Sequence, residues 1–217
     1  MSEQKPDELV VSTGAETAMD VGAAVASLAP WVGGPVSQVL SGMSIGRKMN
    51  RVKEMLDGLA SDLGDFRSEV SEEYVRTDEF QELLERILRT AAEERNEEKR
   101  RIYRAYLART IRNPGEPYDE QVRFLRTLDA VQSDHIRILE AIMQPPEQIV
   151  GVTGSQIQTL RRRLPDLVPE HIHELVGQLN DLRVTNMTSL TTMVTAHGAA
   201  DLRHGLTSYG QRFVAYL

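Results

Sequence analysis

Apolar residues recur from Met49 at alternating steps of three and four: Val52, Leu56, Leu59, Leu63, Phe66 and Val70. That is the a/d seam of a helix lying along a partner helix, and it predicts one helix over residues 47–74. Gly58 and Gly64 weaken it slightly, because glycine costs about 1 kcal/mol against alanine in a helix interior. The partner is read within the same chain, since the next apolar stripes are close in sequence and suit antiparallel neighbours.

Two such stripes follow. Phe80, Leu83, Leu84, Ile87, Leu88 and Ala91 lie on one face, with Thr77 as N-cap and Asp78 and Glu79 in the first turn. Ile102, Tyr103, Tyr106, Leu107 and Ile111 lie on another, with Asn96 as cap and Glu97 and Glu98 after it. Arg104, Arg109 and Arg112 stand toward the end of that second helix, where cations complement the helix dipole. "NPGEP", from Asn113 to Pro117, stops it. The pattern gives a helical bundle over 47–113 and a linker over 114–120.

Helical spacing restarts from Asp119 to Met143, through Val122, Phe124, Leu125 and Leu128 and then Ile136, Leu139, Ile142 and Met143. Pro145 and Pro146 end it. "GSQIQTLRRRL" and "PEHIHELVGQLNDL" predict two short helices, with Pro169 at the first position of the second. After Arg183 the chain becomes rich in Thr and Val. "RVTNMTSLTTMV" reads as extended structure, and "GLTSYGQRFVAYL" as a short extended piece before a terminal helix.

Helix, short helix, turn, helix and then strands is the order of a winged helix-turn-helix. Residues 121–217 resemble that fold, with "LVGQLNDLRVT…LTSYGQRFVAYL" as its third helix, wing and closing helix. The expected fold class is therefore mainly α: an N-terminal helical hairpin and bundle followed by a small winged-helix-like α+β domain. The whole arrangement also resembles bacterial helical proteins that join a Gly/Pro-interrupted apolar N-terminus to a C-terminal winged helix, some associated with phage defence. That resemblance implies an effector or adaptor and carries no catalytic motif.

Ahead of the seam the pattern is different. Residues 1–20 are polar and acidic and read as a flexible tail; the basic start of a secretory signal is missing. Val21 to Gly46 then runs without a charge, although 26% of the chain is charged. Pro30, Gly33, Gly34 and Pro35 divide it into a hairpin of two short helices, about 16–29 and 36–46. Neither half reaches the roughly 20 residues of a membrane-spanning helix. Val25, Leu28, Trp31, Val36, Val39 and Leu40 are its candidate contact residues, and Arg47, Lys48, Arg51 and Lys53 follow it. Such a segment can cap the bundle, join subunits, or enter the interface of an anionic membrane. Capping or assembly is favoured, because each half is short and its small residues suit close helix packing.

Charge and chemistry narrow the function classes. The net charge is −7, yet residues 47–113 balance at 15 basic against 15 acidic and residues 121–217 at 9 against 9. Neither is the basic block that a phosphate backbone attracts. The outer face of the helix after Pro169 is expected to show Glu170, His171, His173, Glu174, Gln178 and Asp181, with Ile172, Leu175, Val176, Leu179 and Leu182 inside. Three acids and no Lys or Arg there oppose DNA binding, although Arg161, Arg162 and Arg163 can touch phosphate.

"HIHE" is a poor metal site, since i and i+2 point apart on a helix while zinc helices use i and i+4. His135, His197 and His204 show no evident partners. The acid pairs Glu72–Glu73 and Glu97–Glu98 sit among cations on helices and not in an apolar pocket, so they read as solvated. The chain has no cysteine, which removes thiol chemistry and fits a reducing compartment. No catalytic, cofactor-binding or metal-binding residue is expected. The expectation is a non-enzymatic, cytoplasmic interaction protein, possible at the inner membrane surface, that binds protein or itself. The alternative is a winged-helix DNA-binding regulator.

Overall fold

The computed structural model describes residues 46–64, 71–146 and 152–217. The tail, the uncharged hairpin up to Ile45 and the seam positions Phe66 and Val70 lie outside them. The described chain is mainly α-helical. Its β structure is one two-stranded antiparallel sheet and one isolated bridge. It divides into two compact units, residues 1–122 and 123–217.

In the first unit, α1 (Arg47–Gly64) packs along α3 (Asp78–Glu93) and α4 (Glu97–Arg112), which also pack on each other. The seam is the reason. Met49, Val52, Leu56, Leu59 and Leu63 are all buried, and so is Met55 beside them. They meet Phe80, Leu83, Leu84, Ile87, Leu88, Tyr103, Tyr106 and Leu107 in one apolar core. Thr77 Oγ1 accepts the Phe80 amide at 3.2 Å, and Asn96 Oδ1 accepts the amides of Glu98 and Lys99 at 2.9 and 3.3 Å. These are the expected caps.

The single helix expected to reach residue 74 does not continue that far. Ser71 is extended, its hydroxyl accepts the Tyr74 amide at 3.4 Å, and a separate short helix, α2 (Glu72–Val75), starts there. A serine followed by two glutamates is a start signal, and it overrides the heptad spacing. Gly58 has a packing role too. A Cβ there would lie 2.1 Å from Arg104 Nη1, so the glycine leaves room for that guanidinium against α1. Arg104 Nε is 2.8 Å from Asp62 Oδ2, an ion pair without hydrogen-bond alignment.

The division between units falls inside α5 (Tyr118–Ala130), so Tyr118 to Glu120 of the expected linker form a helical turn. The continuous helical run expected to reach Met143 is interrupted: α6 (Ser133–Met143) is a separate helix. His135 makes the break, since its Nδ1 accepts the Gln132 amide at 3.0 Å.

The second unit continues with β1 (Thr153–Gly154), α7 (Gln156–Arg163), α8 (Pro169–Asp181) and β2 (Val194–Thr195). Next come α9 (Ala196–Ala200), a 3₁₀ turn (Leu202–Gly205) and α10 (Ser208–Val214). β1 and β2 pair antiparallel, Thr153 opposite Thr195 and Gly154 opposite Val194. Thr185 bridges Leu206. The stretch expected to be extended from Arg183 to Val194 therefore contributes only this bridge and the first residue of β2 as β structure. Thr195 caps α9 by accepting the Gly198 amide at 3.2 Å.

The core of this unit joins Ile136, Leu139 and Ile142 of α6 to Leu160 of α7 and Ile172, Leu175, Val176 and Leu179 of α8. Phe124 stands among Tyr209, Phe213 and Tyr216, with ring centroids 5.3–6.0 Å away.

Candidate functional site

The C-terminal end of α7, the turn after it and the start of α8 enclose an open groove of about 520 Å³. Gln158, Arg161, Arg162, Pro165, Asp166, Leu167, Val168 and Pro169 line it. Its shape follows from local sequence. Ser155 and Gln158 form a capping box at the start of α7, in which Gln158 Oε1 accepts the Ser155 amide at 3.2 Å. Leu164 and Leu160 point inward and anchor the far end. Pro165 cannot continue the helix, and Pro169 opens the next one at its first position.

Neighbouring elements hold the groove walls. Arg163 donates through Nη2 to the carbonyl oxygens of Pro145 and Ala200, at 2.9 and 3.3 Å, and through Nη1 to that of Ala141. It thus satisfies carbonyls at the end of α6 and ties α7 to α9. Thr159 Oγ1 donates to the Ala199 carbonyl at 2.8 Å. Of the three arginines expected as possible phosphate contacts, Arg163 serves the interior of the unit. Arg161 and Arg162 are exposed and line the groove, and Arg162 Nη2 donates to Thr159 Oγ1 at 3.1 Å.

A charged network stands beside the groove. Arg137 Nη2 donates to both carboxylate oxygens of Asp166, at 2.7 and 2.8 Å, and Nη1 donates to Asp134 Oδ1 at 3.0 Å. The guanidinium holds the Asp166 carboxyl below the usual aspartate range, and the two carboxylates raise Arg137 in turn. His171 Nε2 is 3.4 Å from Asp134 Oδ2, and its Nδ1 is 3.5 Å from Glu174 Oε2.

The α8 face is as acidic as expected. Glu170, His173, Glu174, Gln178 and Asp181 are exposed, while Ile172, Leu175, Val176 and Leu179 are buried. Two histidines lacked a partner in the sequence and have one in the fold. Buried His135 meets Gln178 Oε1 through Nε2 at 2.6 Å. Because Nδ1 accepts from Gln132, Nε2 carries the proton and donates. His204 Nε2 is 3.3 Å from Asp201 Oδ2. Among the described residues, no group of three or more His, Asp or Glu is placed to hold a metal ion.

The candidate contact residues Val25, Leu28, Trp31, Val36, Val39 and Leu40 lie outside the described residues. Of the basic residues after them, Arg47 is exposed. Lys48 pairs with Glu93. Arg51 Nη1 donates to the Ala92 and Glu93 carbonyls at 2.8 and 3.3 Å. Lys48 and Arg51 therefore close the C-terminal end of α3, a helix with no basic residue of its own in the last turn. Lys53 is half-buried. No helix among the described residues is long and apolar enough to cross a membrane.

Sequence reasoning missed the groove itself. Its visible signal was "PDLVP", in which two apolar residues lie between prolines in a turn. No protein-family model, curated protein or solved structure matches this chain.

Proposed function

We propose that this chain is a non-enzymatic interaction protein whose second unit, a winged-helix-like module, binds protein through the α7–α8 groove. The order α6, β1, α7, α8, β2 and the antiparallel β1–β2 pairing support the winged-helix-like reading. The observation that carries the functional reading is the contrast between two adjacent surfaces. The exposed α8 face presents Glu170, Glu174 and Asp181 where a DNA-reading module would present cations. The groove beside it presents Val168, 60% exposed, among Pro165, Leu167 and Pro169. Exposed apolar surface rimmed by charge suits a protein segment. In this reading the uncharged N-terminal stretch supplies assembly or membrane contact. The protein then acts as an adaptor or effector in the cytoplasm or at the inner face of a membrane, without a cofactor.

The competing reading is a DNA-binding regulator, for which Arg161 and Arg162 speak. Titrating the full chain against mixed-sequence duplexes at physiological salt separates the two. The expected result is no binding tighter than the micromolar range. A sub-micromolar Kd that weakens steeply with added salt would overturn the protein-binding reading, because such a slope counts phosphates neutralised.

A further inference from the structure

Building on that reading of the α7–α8 groove, we propose that its ligand is a short linear segment of a partner protein in which aspartate or glutamate stands beside a bulky apolar side chain. The charges lining the groove are Arg161, Arg162 and Asp166. Asp166 is already answered from outside the groove, because Arg137 on α6 takes both of its oxygens. Arg161 therefore stands exposed on the rim beside an acid that is already answered, and a carboxylate is its complementary group. A guanidinium presents a planar fork of donors that matches a carboxylate.

The apolar half of the ligand follows from the floor. Pro165, Leu167, Val168 and Pro169 form an apolar turn. Val168 occupies the N-cap position of α8 and makes no capping hydrogen bond. Ser71, Thr77, Asn96, Thr195 and Thr207 cap their helices through side-chain oxygens. An exposed valine where a polar cap is favoured departs from the local rule, and such departures gather at functional surfaces. A groove of about 520 Å³ has room for one or two side chains.

A peptide is favoured over a nucleic acid because its charge can be local. One or two carboxylates can meet Arg161 at the groove without lying along the exposed acidic face of α8. A duplex would carry its phosphates along the helix that shows Glu170, Glu174 and Asp181.

The test uses the full chain to select from a displayed library of random short peptides. Anisotropy titrations then compare the wild type with Arg161→Glu and Val168→Asp. Both native side chains are exposed, and the second change gives α8 the capping carboxylate that valine lacks, so neither should harm folding. Matching melting curves check this.

The selected peptides should place Asp or Glu within a few residues of Leu, Ile, Phe or Met. Binding should weaken at least about tenfold in either variant, and equally when the peptide acid is changed to its amide. Peptides without acids whose binding Val168→Asp still abolishes would overturn the acidic ligand class and leave the protein-binding groove standing. Selection of no peptide that depends on Arg161 or Val168 would overturn the groove as a protein site. Sub-micromolar duplex binding lost in Arg161→Glu would overturn both.

Discussion

Gly210 shows how closely the second unit is packed at a single residue. A Cβ added there would lie 1.9 Å from the Val184 carbonyl oxygen, which is backbone and cannot swing aside. That oxygen already accepts the Thr207 amide at 3.1 Å, so α10 is fixed against the strand-like turn after α8. Gly210→Ala is expected to cost about 1–3 kcal/mol, the range for overpacking, in urea melts. No change in midpoint would mean that α10 stands off from Val184. Asp201 makes a second residue-scale case. It caps the 3₁₀ turn, lies 3.1 Å from Arg203 Nε and is nearly buried. The Arg203 hydrogen bond holds its carboxyl below the ordinary value of 3.8. A depressed folded pKa stabilises the fold fully above the unfolded value, and that stability is lost as pH falls through the folded one. Melting temperature should therefore drop below about pH 4 more steeply for the wild type than for Asp201→Asn. Parallel curves for the two proteins would exclude Asp201 as a contributor to acid sensitivity.

Elements were legible where one local rule decided them. The spacing of α1, the caps Thr77 and Asn96 and the proline opening α8 depend on neighbours within a turn or two, and the fold keeps them. What was not legible depends on residues far apart. Arg163 looks like a surface cation until α6 and α9 bring carbonyls to it, and His135 looks unpaired until α8 delivers Gln178. The break between α5 and α6 also escaped the periodicity, because Val131 is buried as a continuing helix would bury it. The groove is of the same kind: "PDLVP" reads as a turn, and only the placement of α7 against α8 makes it a surface with walls. For α1, Leu59 is fully buried and central in the seam. Leu59→Ala should cost about 2–5 kcal/mol in a urea melt, through lost transfer energy and the cavity left behind. A change under about half a kilocalorie would place α1 at the surface and contradict the three-helix core.

At the scale of the whole molecule, the role of the uncharged stretch can be tested by removing residues 1–46. The described core of the first unit joins the buried residues of α1, from Met49 to Leu63, to those of α3 and α4. Lys48 and Arg51, which follow the uncharged stretch, hold the end of α3 and would survive its removal. Residues 47–217 are therefore expected to remain folded and helical, with a changed solution mass or changed recovery on anionic liposomes. Val25→Asp and Val39→Asp in the full chain should have the same effect with little loss of helicity, because a charge in an apolar contact is costly while a charge facing water is not. The opposite result has an equally definite meaning. If residues 21–46 form a layer of the core, the truncated chain should melt early or aggregate, and each aspartate should unfold the first unit. Circular dichroism melts paired with light scattering and liposome flotation tell these apart. A collapsed melting curve with unchanged mass and flotation would rule out attachment as the role of the uncharged stretch, and would make it part of the fold that the seam organises.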